Sequence, residues 1–288
     1  MNELCDNAFL VTKDKLQLMY EDIEKLKSDN NVSKNNAINS ILVEYGRKNG
    51  ASYVFVRIPK TTNDGKTLVP KVALTSADGS LSGSKTATLT YARNNDTIFT
   101  VNAGLFNMTT FEPVGQLIID GVSLINTPMV DDNGVPISDT ECYPLAIDKD
   151  WNLTTYPRNV DTQSMLDDGV KYAVTAWGKL VDNFEICQDD IDAEIVHPDK
   201  YIRQSIGQFQ NGDYCVCSVD MTRGNVENES GLSYEELAQI LVDKGVKFAY
   251  SLDGGGSCQT VLGKRQLNPI YEGSTGRKVP TVITFEVL

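Results

Sequence analysis

The clearest chemical signal in the sequence is a carboxylate followed by a run of glycines, in the segment S-L-D-G-G-G-S at residues 251–257. An apolar predicted strand leads to Asp253, and three glycines and a hydroxyl follow it. Consecutive glycines cost chain entropy, so they are typical of a backbone that approaches a ligand closely and presents N–H groups to an anion. No Gly-Lys-Ser/Thr follows, which excludes a P-loop. The alternative interpretation is a tight turn in which Asp253 binds only its own loop.

Three weaker signals lie elsewhere in the chain, and each has an ordinary structural alternative. Residues 101–106, V-N-A-G-L-F, predict a strand that ends in the amide of Asn102, or else a turn that buries a phenylalanine. Arg203 precedes one predicted strand, and Arg277 lies in G-R-K-V-P before the last strand. A guanidinium can bind phosphate oxygens through two parallel hydrogen bonds, whereas an arginine at the start of a strand often forms only a surface salt bridge.

A single histidine, His197, restricts the available chemistry. Three-histidine metal sites and the two-histidine H-E-x-x-H metalloproteases are excluded, so carboxylates, arginines and backbone amides remain for catalysis. The context V-H-P-D predicts that His197 lies in an extended loop, and the alternative is a proton shuttle beside Arg203. The chain has 26 Lys and Arg against 39 Asp and Glu, a net charge of −13, which argues against binding duplex nucleic acid or a membrane surface.

The elements that must position these residues change in type near residue 50. Apolar residues recur at helical spacing in residues 12–29 and 33–48, and Gly50 predicts a C-terminal stop. Residues 1–50 are therefore predicted to form a helical hairpin packed on the main body, or an oligomerisation or docking element that makes a homo-oligomer through residues 12–48. Residues 51–288 are predicted to form an α+β domain with a strand-rich mixed sheet and few helices.

Short β-type runs separated by Gly, Asn and Asp follow residue 51. The predicted strands are Tyr53–Ile58, Lys71–Thr75, Ala87–Tyr91, Ile98–Val101, Gln116–Ile119, Leu145–Ile147, Ala173–Ala176, Tyr214–Val219, Phe248–Ser251 and Val279–Val287. One later helix is predicted, Tyr234–Lys244, because Ser233 and Glu236 can form a capping box and Gly245 can end it.

Sequence features also bear on the compartment. The first eleven residues contain two acidic residues and no basic one, unlike a secretory signal, so we expect cytoplasmic synthesis, with association with a virion left open. Six cysteines in 288 residues without a C-x-x-C pair predict reduced thiols, with Cys215 and Cys217 on one face of a strand.

Taken in order, these segments resemble the phosphodiester glycosidase family. The resemblance rests on N-A-G-L-F-N, P-V-G-Q-L-I-I-D-G, R-Q-S-I-G-Q-F-Q-N-G-D-Y, the helix at residues 232–245, S-L-D-G-G-G-S and G-R-K-V-P. It extends from about Tyr53 to the C-terminus, and L-D-G-G-G-S with a downstream arginine is its most specific part. Residues 1–50 lie outside it, and their helical pattern resembles versions of this domain that are fused into phage tail or other structural proteins.

The resemblance implies hydrolysis of a glycosidic bond whose leaving group is a phosphodiester, in a glycan or a nucleotide-like substrate. It implies catalytic roles for Asp253, Asp220 and Asn102. Substrate or phosphate binding is implied for Arg203, Arg277, Gly104, Gly254, Gly255, Gly256 and Ser257. No cofactor is expected, although Asp253 could instead ligate Ca²⁺ or Mg²⁺ beside the phosphate.

The sequence departs from the family pattern next to these residues. Ser251 stands where the family usually has Asn, Gln204 and Ser205 stand where it usually has Thr-Ala, and Cys258 stands where a second small residue is common. These departures leave the substrate and the activity open. The alternative function is a non-catalytic glycan- or phosphate-binding module, or a phage tail-like structural protein, that retains the glycosidase fold.

Overall fold

The computed structural model describes residues 32–127, 142–158, 160–192, 200–222 and 231–288. Its strands are β1 (Leu42–Lys48), β2 (Ala51–Ile58), β3 (Leu68–Leu74), β4 (Thr86–Ala87), β5 (Phe99–Asn102), β6 (Gln116–Ile119), β7 (Val122–Asn126), β8 (Pro144–Asp148), β9 (Leu153–Thr155), β10 (Val170–Thr175), β11 (Lys179–Asp182), β12 (Glu185–Ile186), β13 (Gln204–Gln208), β14 (Tyr214–Thr222), β15 (Phe248–Leu252), β16 (Thr260–Leu262), β17 (Arg265–Gln266), β18 (Lys278–Val279) and β19 (Thr281–Val287). Its helices are α1 (Val32–Ser40), α2 (Thr88–Asn94), α3 (Thr162–Asp167), α4 (Gln188–Asp192) and α5 (Tyr234–Asp243). The predicted strand-rich α+β class is confirmed.

Three sheets form most of the described fold. The largest has the order β1-β2-β14-β13-β15-β11-β12. The two five-stranded sheets have the orders β7-β6-β10-β8-β9 and β17-β16-β5-β19-β3, and β18 pairs with β4. In the described residues β15 is followed directly by the glycine loop, and β5 ends at Asn102, so two different sheets supply the candidate residues.

The seven-stranded sheet is buried on both faces, because alternate residues of its central strands enter different cores. Tyr214 and Val216 of β14 pack into the core shared with the other sheets. Cys215 and Cys217, one residue out of phase, pack into a second core that Leu237 of α5 covers. Burial on both faces means that successive residues of these strands are buried, and polar ones such as Gln204 are hydrogen-bonded internally. Both cysteines are buried thiols on the same face, as predicted.

Helix α5 forms where the capping residues predict it. The Ser233 hydroxyl accepts a hydrogen bond from the Glu236 N–H, and the Glu236 carboxylate accepts one from the Ser233 N–H. Gly245 follows the helix with a φ of 76°, a left-handed conformation that favours glycine. The helix therefore begins and ends through local signals that a sequence can reveal.

The predicted helix over residues 33–48 is wrong in its second half. Helix α1 ends at Ser40, and Leu42–Lys48 is strand β1, which pairs antiparallel with β2 at the edge of the seven-stranded sheet. Asn49 and Gly50 have φ values of 49° and 87°. Both residues are thus left-handed, as in the two-residue hairpin turn that Asn-Gly favours. Gly50 is part of a hairpin turn and does not stop a helix, and residues 42–50 belong to the sheet.

The strand predicted at Ala87–Tyr91 is also wrong after its first residue. Helix α2 begins at Thr88, and Leu89 and Ala92 pack on Val261. The N-terminus of α2 has no side-chain cap, and the Leu89 N–H donates to Gln259 Oε1 at 3.1 Å. A residue 170 positions away thus satisfies the helix end, which local propensity could not predict.

The last predicted strand is divided. Pro280 separates β18 from β19, because proline has no N–H to donate to a neighbouring strand. Three short helices, α2, α3 and α4, were not predicted.

Some predictions fall on residues 1–31, 128–141 and 193–199, which lie outside the described residues. They include the helix at residues 12–29 and the loop containing His197. The division of the chain at residue 50 and an oligomer formed through residues 12–48 stay predictions, with the correction that residues 42–48 form strand β1.

Candidate active site

Asp253 is the first residue after β15, and the glycine loop that follows it packs closely against two other segments. The Asp253 N–H donates to the Ala103 carbonyl at 3.0 Å, which fixes the loop to the end of β5. A Cβ on Gly254 would lie 2.5 Å from the carbonyl oxygen of Ile202. Gly255 has a φ of 55°. The glycines are therefore required by close backbone approach and by a left-handed conformation.

The amides of this loop are largely engaged within the protein. The Gly255 N–H donates to the Ile202 carbonyl at 2.9 Å, and the Ser257 N–H donates to the Gly254 carbonyl at 3.1 Å. The Gly254 N–H donates to the Asp253 carboxylate. These bonds leave few N–H groups of the loop free to bind a ligand. Anion binding by the glycine amides stays a prediction, and fewer amides than expected could take part in it.

Asn102 is fully buried at the end of β5 and connects the two ends of the glycine loop. Its Nδ2 donates to the Asp253 carbonyl at 2.7 Å, and its Oδ1 accepts from the Gln259 N–H at 2.9 Å. Sequence reasoning expected Asn102 to hold a sugar hydroxyl or a phosphate. In the structure both ends of its carboxamide bind backbone, so its contacts are those of a residue that shapes the loop.

Arg277 lies over the glycine loop, as expected. Its Nε donates to Glu272 at 2.9 Å, its Nη2 binds the other oxygen of the same carboxylate, and its Nη1 lies 3.5 Å from the Ser257 hydroxyl. A Cβ on Gly256 would lie 2.6 Å from Arg277 Nη2 and 2.7 Å from Glu272 Oε1. The ion pair therefore packs directly on the backbone of Gly256, in space that any side chain at this position would occupy.

Arg203 is buried, with 3% of its surface exposed, and two neighbours hold its guanidinium. Its Nε donates to the Leu232 carbonyl at 2.8 Å. The guanidinium carbon lies 3.2 Å from the centroid of the Tyr234 ring, a cation–π contact. The Tyr234 ring against the face of the guanidinium and the Leu232 carbonyl at its Nε therefore fix the orientation of Arg203.

A cavity of about 200 Å³ brings together three of the predicted charged side chains, Asp253, Arg203 and Arg277, and two of the predicted loop glycines. Burial raises the pKa of Asp253 to about 6, against the opposing hydrogen bond from Ser257 and the positive charge of Arg277. A carboxyl with this pKa changes its ionisation near neutral pH, as catalytic acids and bases do. The remaining lining residues are Leu105, Phe106, Met108, Trp177, Tyr201, Ile202, Tyr234, Leu252, Gly254 and Gly255.

Five of the ten predicted residues are not among those that line this cavity: Asn102, Gly104, Asp220, Gly256 and Ser257. Asp220, on β14, accepts a hydrogen bond from the Tyr271 hydroxyl. Gly104 packs against β10, where a Cβ would lie 2.4 Å from Val174 Cγ2 and 2.7 Å from the Thr175 carbonyl oxygen. The structure thus accounts for Gly104 by close packing.

The residues that depart from the family pattern lie on strands β13 and β15 and directly after the glycine loop. Gln204, Ser205, Ser251 and Cys258 are all buried. The Gln204 Nε2 donates to Ser218 at 2.9 Å and to Thr260 at 2.8 Å, which connects the seven-stranded sheet to β16. None of the four is among the residues that line the cavity. Their effect on a ligand would therefore be indirect.

Sequence reasoning missed Glu272, Tyr271 and the aromatic walls of the cavity. Trp177, Tyr201 and Tyr234 come from three separate segments, and no spacing in the sequence relates them. The capping residue Ser233 marks the helix that carries Tyr234, which was the one available signal.

Comparison with known proteins agrees with the resemblance seen in the sequence. The family model described as phosphodiester glycosidase matches residues 95–286, two thirds of the chain. The chain belongs to the phosphodiester glycosidase family. This membership supports a hydrolase-type function and leaves the roles of individual residues to be tested.

Three solved structures resemble this member of the family in fold. The catalytic domain of zebrafish N-acetylglucosamine-1-phosphodiester alpha-N-acetylglucosaminidase, auto-inhibited by its pro-peptide, matches with a TM-score of 0.62 and 17% identity over 85% of this chain and 81% of its own. A hypothetical protein from Synechocystis gives 0.60 and 15%, over 87% and 62% of the two chains. A putative exported protein from Burkholderia pseudomallei K96243 gives 0.53 and 14%, over 82% and 74%. At these identities the likeness concerns the fold.

A curated relative gives a link to phage. The SPbeta prophage-derived uncharacterized protein YomE of Bacillus subtilis strain 168 is 32% identical over 91 residues, which are 32% of this chain and 13% of that protein. The match thus spans a small part of a much longer relative. It connects this domain to a prophage-encoded protein and does not support a place in a virion tail.

The described residues contain neither a cluster of metal-binding side chains nor a helix that could cross a membrane. Within the described ranges, no group of three or more His, Cys, Asp and Glu side chains could hold a metal ion. That no cofactor is required, and the alternative of Ca²⁺ or Mg²⁺ bound by Asp253, both stay predictions. No helix in that part of the chain is long and apolar enough to cross a membrane.

Proposed function

We propose that this phosphodiester glycosidase hydrolyses the glycosidic bond of a sugar-1-phosphodiester, with Asp253 as the catalytic carboxylate. The observation that carries the proposal is the presence of a carboxyl with a pKa of about 6 and of two arginines around one cavity of about 200 Å³. Family membership supports a glycosidic bond as the target.

The proposed reaction needs a base and a stabilised leaving group. A water molecule attacks the anomeric carbon, its proton passes to the ionised Asp253, and the bond from that carbon to the phosphate oxygen breaks. The electron pair of that bond leaves on the phosphate. A phosphate is a good leaving group without protonation, so a residue that stays charged is more useful there than a general acid. Arg277 and Arg203, which are charged at every working pH, fill that role.

Asp253 could instead attack the anomeric carbon itself and form a covalent glycosyl intermediate that water then hydrolyses. The two routes differ in stereochemistry, because a single displacement inverts the anomeric centre and two displacements retain it. Proton NMR of the freshly released sugar distinguishes them. Asp220, which accepts a hydrogen bond from Tyr271 and does not line the cavity, is the second candidate for this carboxylate role. Asn102 keeps Asp253 in place through the loop.

The first experiment measures release of free sugar from the methyl diester of N-acetylglucosamine-1-phosphate and from a panel of other sugar-1-phosphodiesters. We expect Asp253→Asn to lower kcat by roughly 10²–10⁴-fold while the fold is retained. Asp96→Asn is the matched control, since Asp96 is exposed and forms ion pairs with Lys34 and Lys264. Full turnover by Asp253→Asn would remove this carboxylate from the mechanism.

A non-catalytic binding module is the alternative, favoured by the engagement of the loop amides and by the salt bridge on Arg277. It predicts that the wild-type chain binds sugar-1-phosphates in calorimetry and turns over no member of the panel. Turnover that requires Asp253 rejects this alternative.

The phage link supports a second proposal about setting, which is that this domain acts as part of a phage-encoded protein. Association with the virion is a further proposal, which the match itself does not support. Immunodetection in purified phage particles tests it. Detection only in the producing cells would contradict it.

We also propose self-association through the N-terminal residues. Light scattering of the full chain is compared with a chain that begins at Val32, which keeps strand β1. Equal oligomeric states would contradict a role for residues 12–31.

A further inference from the structure

One segment, Tyr271–Arg277, contacts one candidate residue, Asp220, and contains another, Arg277. It follows β17 and leads into β18. At its start the Tyr271 hydroxyl donates to Asp220 on β14. At the next position Glu272 forms a two-point salt bridge with Arg277. The segment is therefore fixed at Tyr271 immediately before the carboxylate that holds the arginine.

The salt bridge determines which edge of Arg277 is available. Nε and Nη2, one side of the guanidinium fork, are both bonded to Glu272. Nη1, on the other side, lies 3.5 Å from the Ser257 hydroxyl, and Ser257 in turn bonds to the Asp253 carboxylate. The bare backbone of Gly256 lies beneath the pair, where a Cβ would collide with both side chains.

We propose that Glu272 is a positioning residue, which holds Arg277 on the backbone of Gly256 with its Nη1 edge toward Ser257 and Asp253. The assignment rests on the proposed function of Asp253 and Arg277. Fixing an arginine side chain costs rotamer freedom, and the two charge-assisted hydrogen bonds to a carboxylate partner offset this cost. Glu272 thus acts on the reaction only through Arg277.

If Glu272 positions Arg277, removing Glu272 changes the pKa of Asp253 in the opposite direction from the loss of the negative charge of Glu272 alone. The groups around Asp253 are the Ser257 hydroxyl, the Gly254 N–H, the Arg277 guanidinium and the buried Cys258 thiol, which also interacts with Asp220. Arg203 lines the same cavity. Of these, Arg277 carries the positive charge that lowers the pKa of Asp253. If Glu272 is removed and Arg277 moves away, that pKa rises. If Arg277 stays, the loss of a negative charge nearby lowers it.

The test is a ¹³C NMR titration of the Asp253 carboxyl in the full chain, with the resonance assigned by its absence in Asp253→Asn. We expect Glu272→Ala to raise the pKa of Asp253 by about 1 pH unit. Glu272→Gln keeps one acceptor for the guanidinium and should rescue part of the change. Glu286→Ala is the matched control, because Glu286 is similarly exposed and binds Lys71 at 2.8 Å, away from the cavity.

An unchanged or lowered pKa in both Glu272 variants would overturn the proposal. If Glu272→Ala fails to fold, Glu272→Gln alone decides, since a rise is expected there as well. The titration needs no substrate, so its result is independent of turnover. A raised pKa in a chain without activity would reject the proposed function and keep the positioning role. In an active chain, both variants should lower kcat more than they change KM.

Discussion

The pKa of Asp253 leads to a prediction about stability as well as about catalysis. A rise from 3.8 to about 6, at about 1.4 kcal/mol for each pH unit, makes ionisation of this carboxyl in the folded protein cost about 3 kcal/mol. Because the folded state binds the proton more tightly than the unfolded state, stability from this group is complete below pH 4 and is lost as the pH rises to about 6. Above that pH the whole cost is present.

Asp253→Asn removes the ionisation and should therefore stabilise the protein in a pH-dependent way. We expect the variant to gain at most about 3 kcal/mol in free energy of unfolding at pH 8 and about 0.5 kcal/mol at pH 4. For a chain of this length the gain at pH 8 corresponds to a Tm about 5 °C higher. Urea unfolding and thermal scans at pH 4, 6 and 8 measure both quantities.

Asp213→Asn is the control with the opposite sign. Burial alone would raise the pKa of Asp213, but hydrogen bonds from Asn211, the Lys60 N–H and Arg57 lower it. Stability from Asp213 is therefore present at neutral pH and lost on acidification, so its replacement should destabilise the protein most at pH 8. A difference between Asp253→Asn and wild type that is zero or negative at pH 8, or that does not grow with pH, would refute the reasoning about the buried carboxyl.

Three further predictions follow from the same contacts. The kcat/KM for a sugar-1-phosphodiester should fall about tenfold for each pH unit below pH 6 as Asp253 is protonated, and a flat profile would exclude it as base or nucleophile. Asn102→Ala should lose roughly 2–4 kcal/mol of unfolding free energy in urea, because two buried backbone groups lose their partners; a loss below 1 kcal/mol would contradict the bridging role. Ser233→Ala should cost about 1 kcal/mol in the same assay through loss of the helix cap, with no change in kcat, and an unchanged stability would contradict the cap.

The elements predicted correctly from the sequence are those with local causes. The capping box at Ser233 and Glu236 lies within four residues, and strand Gln116–Ile119 is bounded by turn residues on both sides. The segment after Ser40 was predicted wrongly because its apolar residues satisfy both a helical and an alternating pattern. Val43 and Tyr45 face the core from a strand, and the Asn49–Gly50 turn, a local signal for a hairpin, was the evidence that should have outweighed the helical spacing.

The candidate site shows the same division between local and long-range causes. The family resemblance, carried by short motifs, predicted that Asp253, Arg203 and Arg277 lie in one site, and all three line one cavity. What these motifs could not give is which groups each residue would bind. The bond from Asn102 to the Asp253 carbonyl spans 151 positions, and no property of Asn102 in the sequence distinguishes a ligand contact from a backbone bridge.

The net charge around the cavity is set by its two arginines, Asp253 and Glu272, and does not follow from the acidic composition of the whole chain. At pH 7 Asp253 is mostly ionised, Glu272 is ionised with its pKa lowered by the hydrogen bond to Arg277, and the two arginines balance these charges. Protonation of Asp253 near pH 6 leaves the cavity with one excess positive charge. An anion should therefore bind most tightly below pH 6, where turnover is slowest. The proposed chemistry requires ionised Asp253, and the negative charge of that carboxylate weakens binding of the substrate phosphate. Protonation of Asp253 should therefore strengthen anion binding and slow turnover.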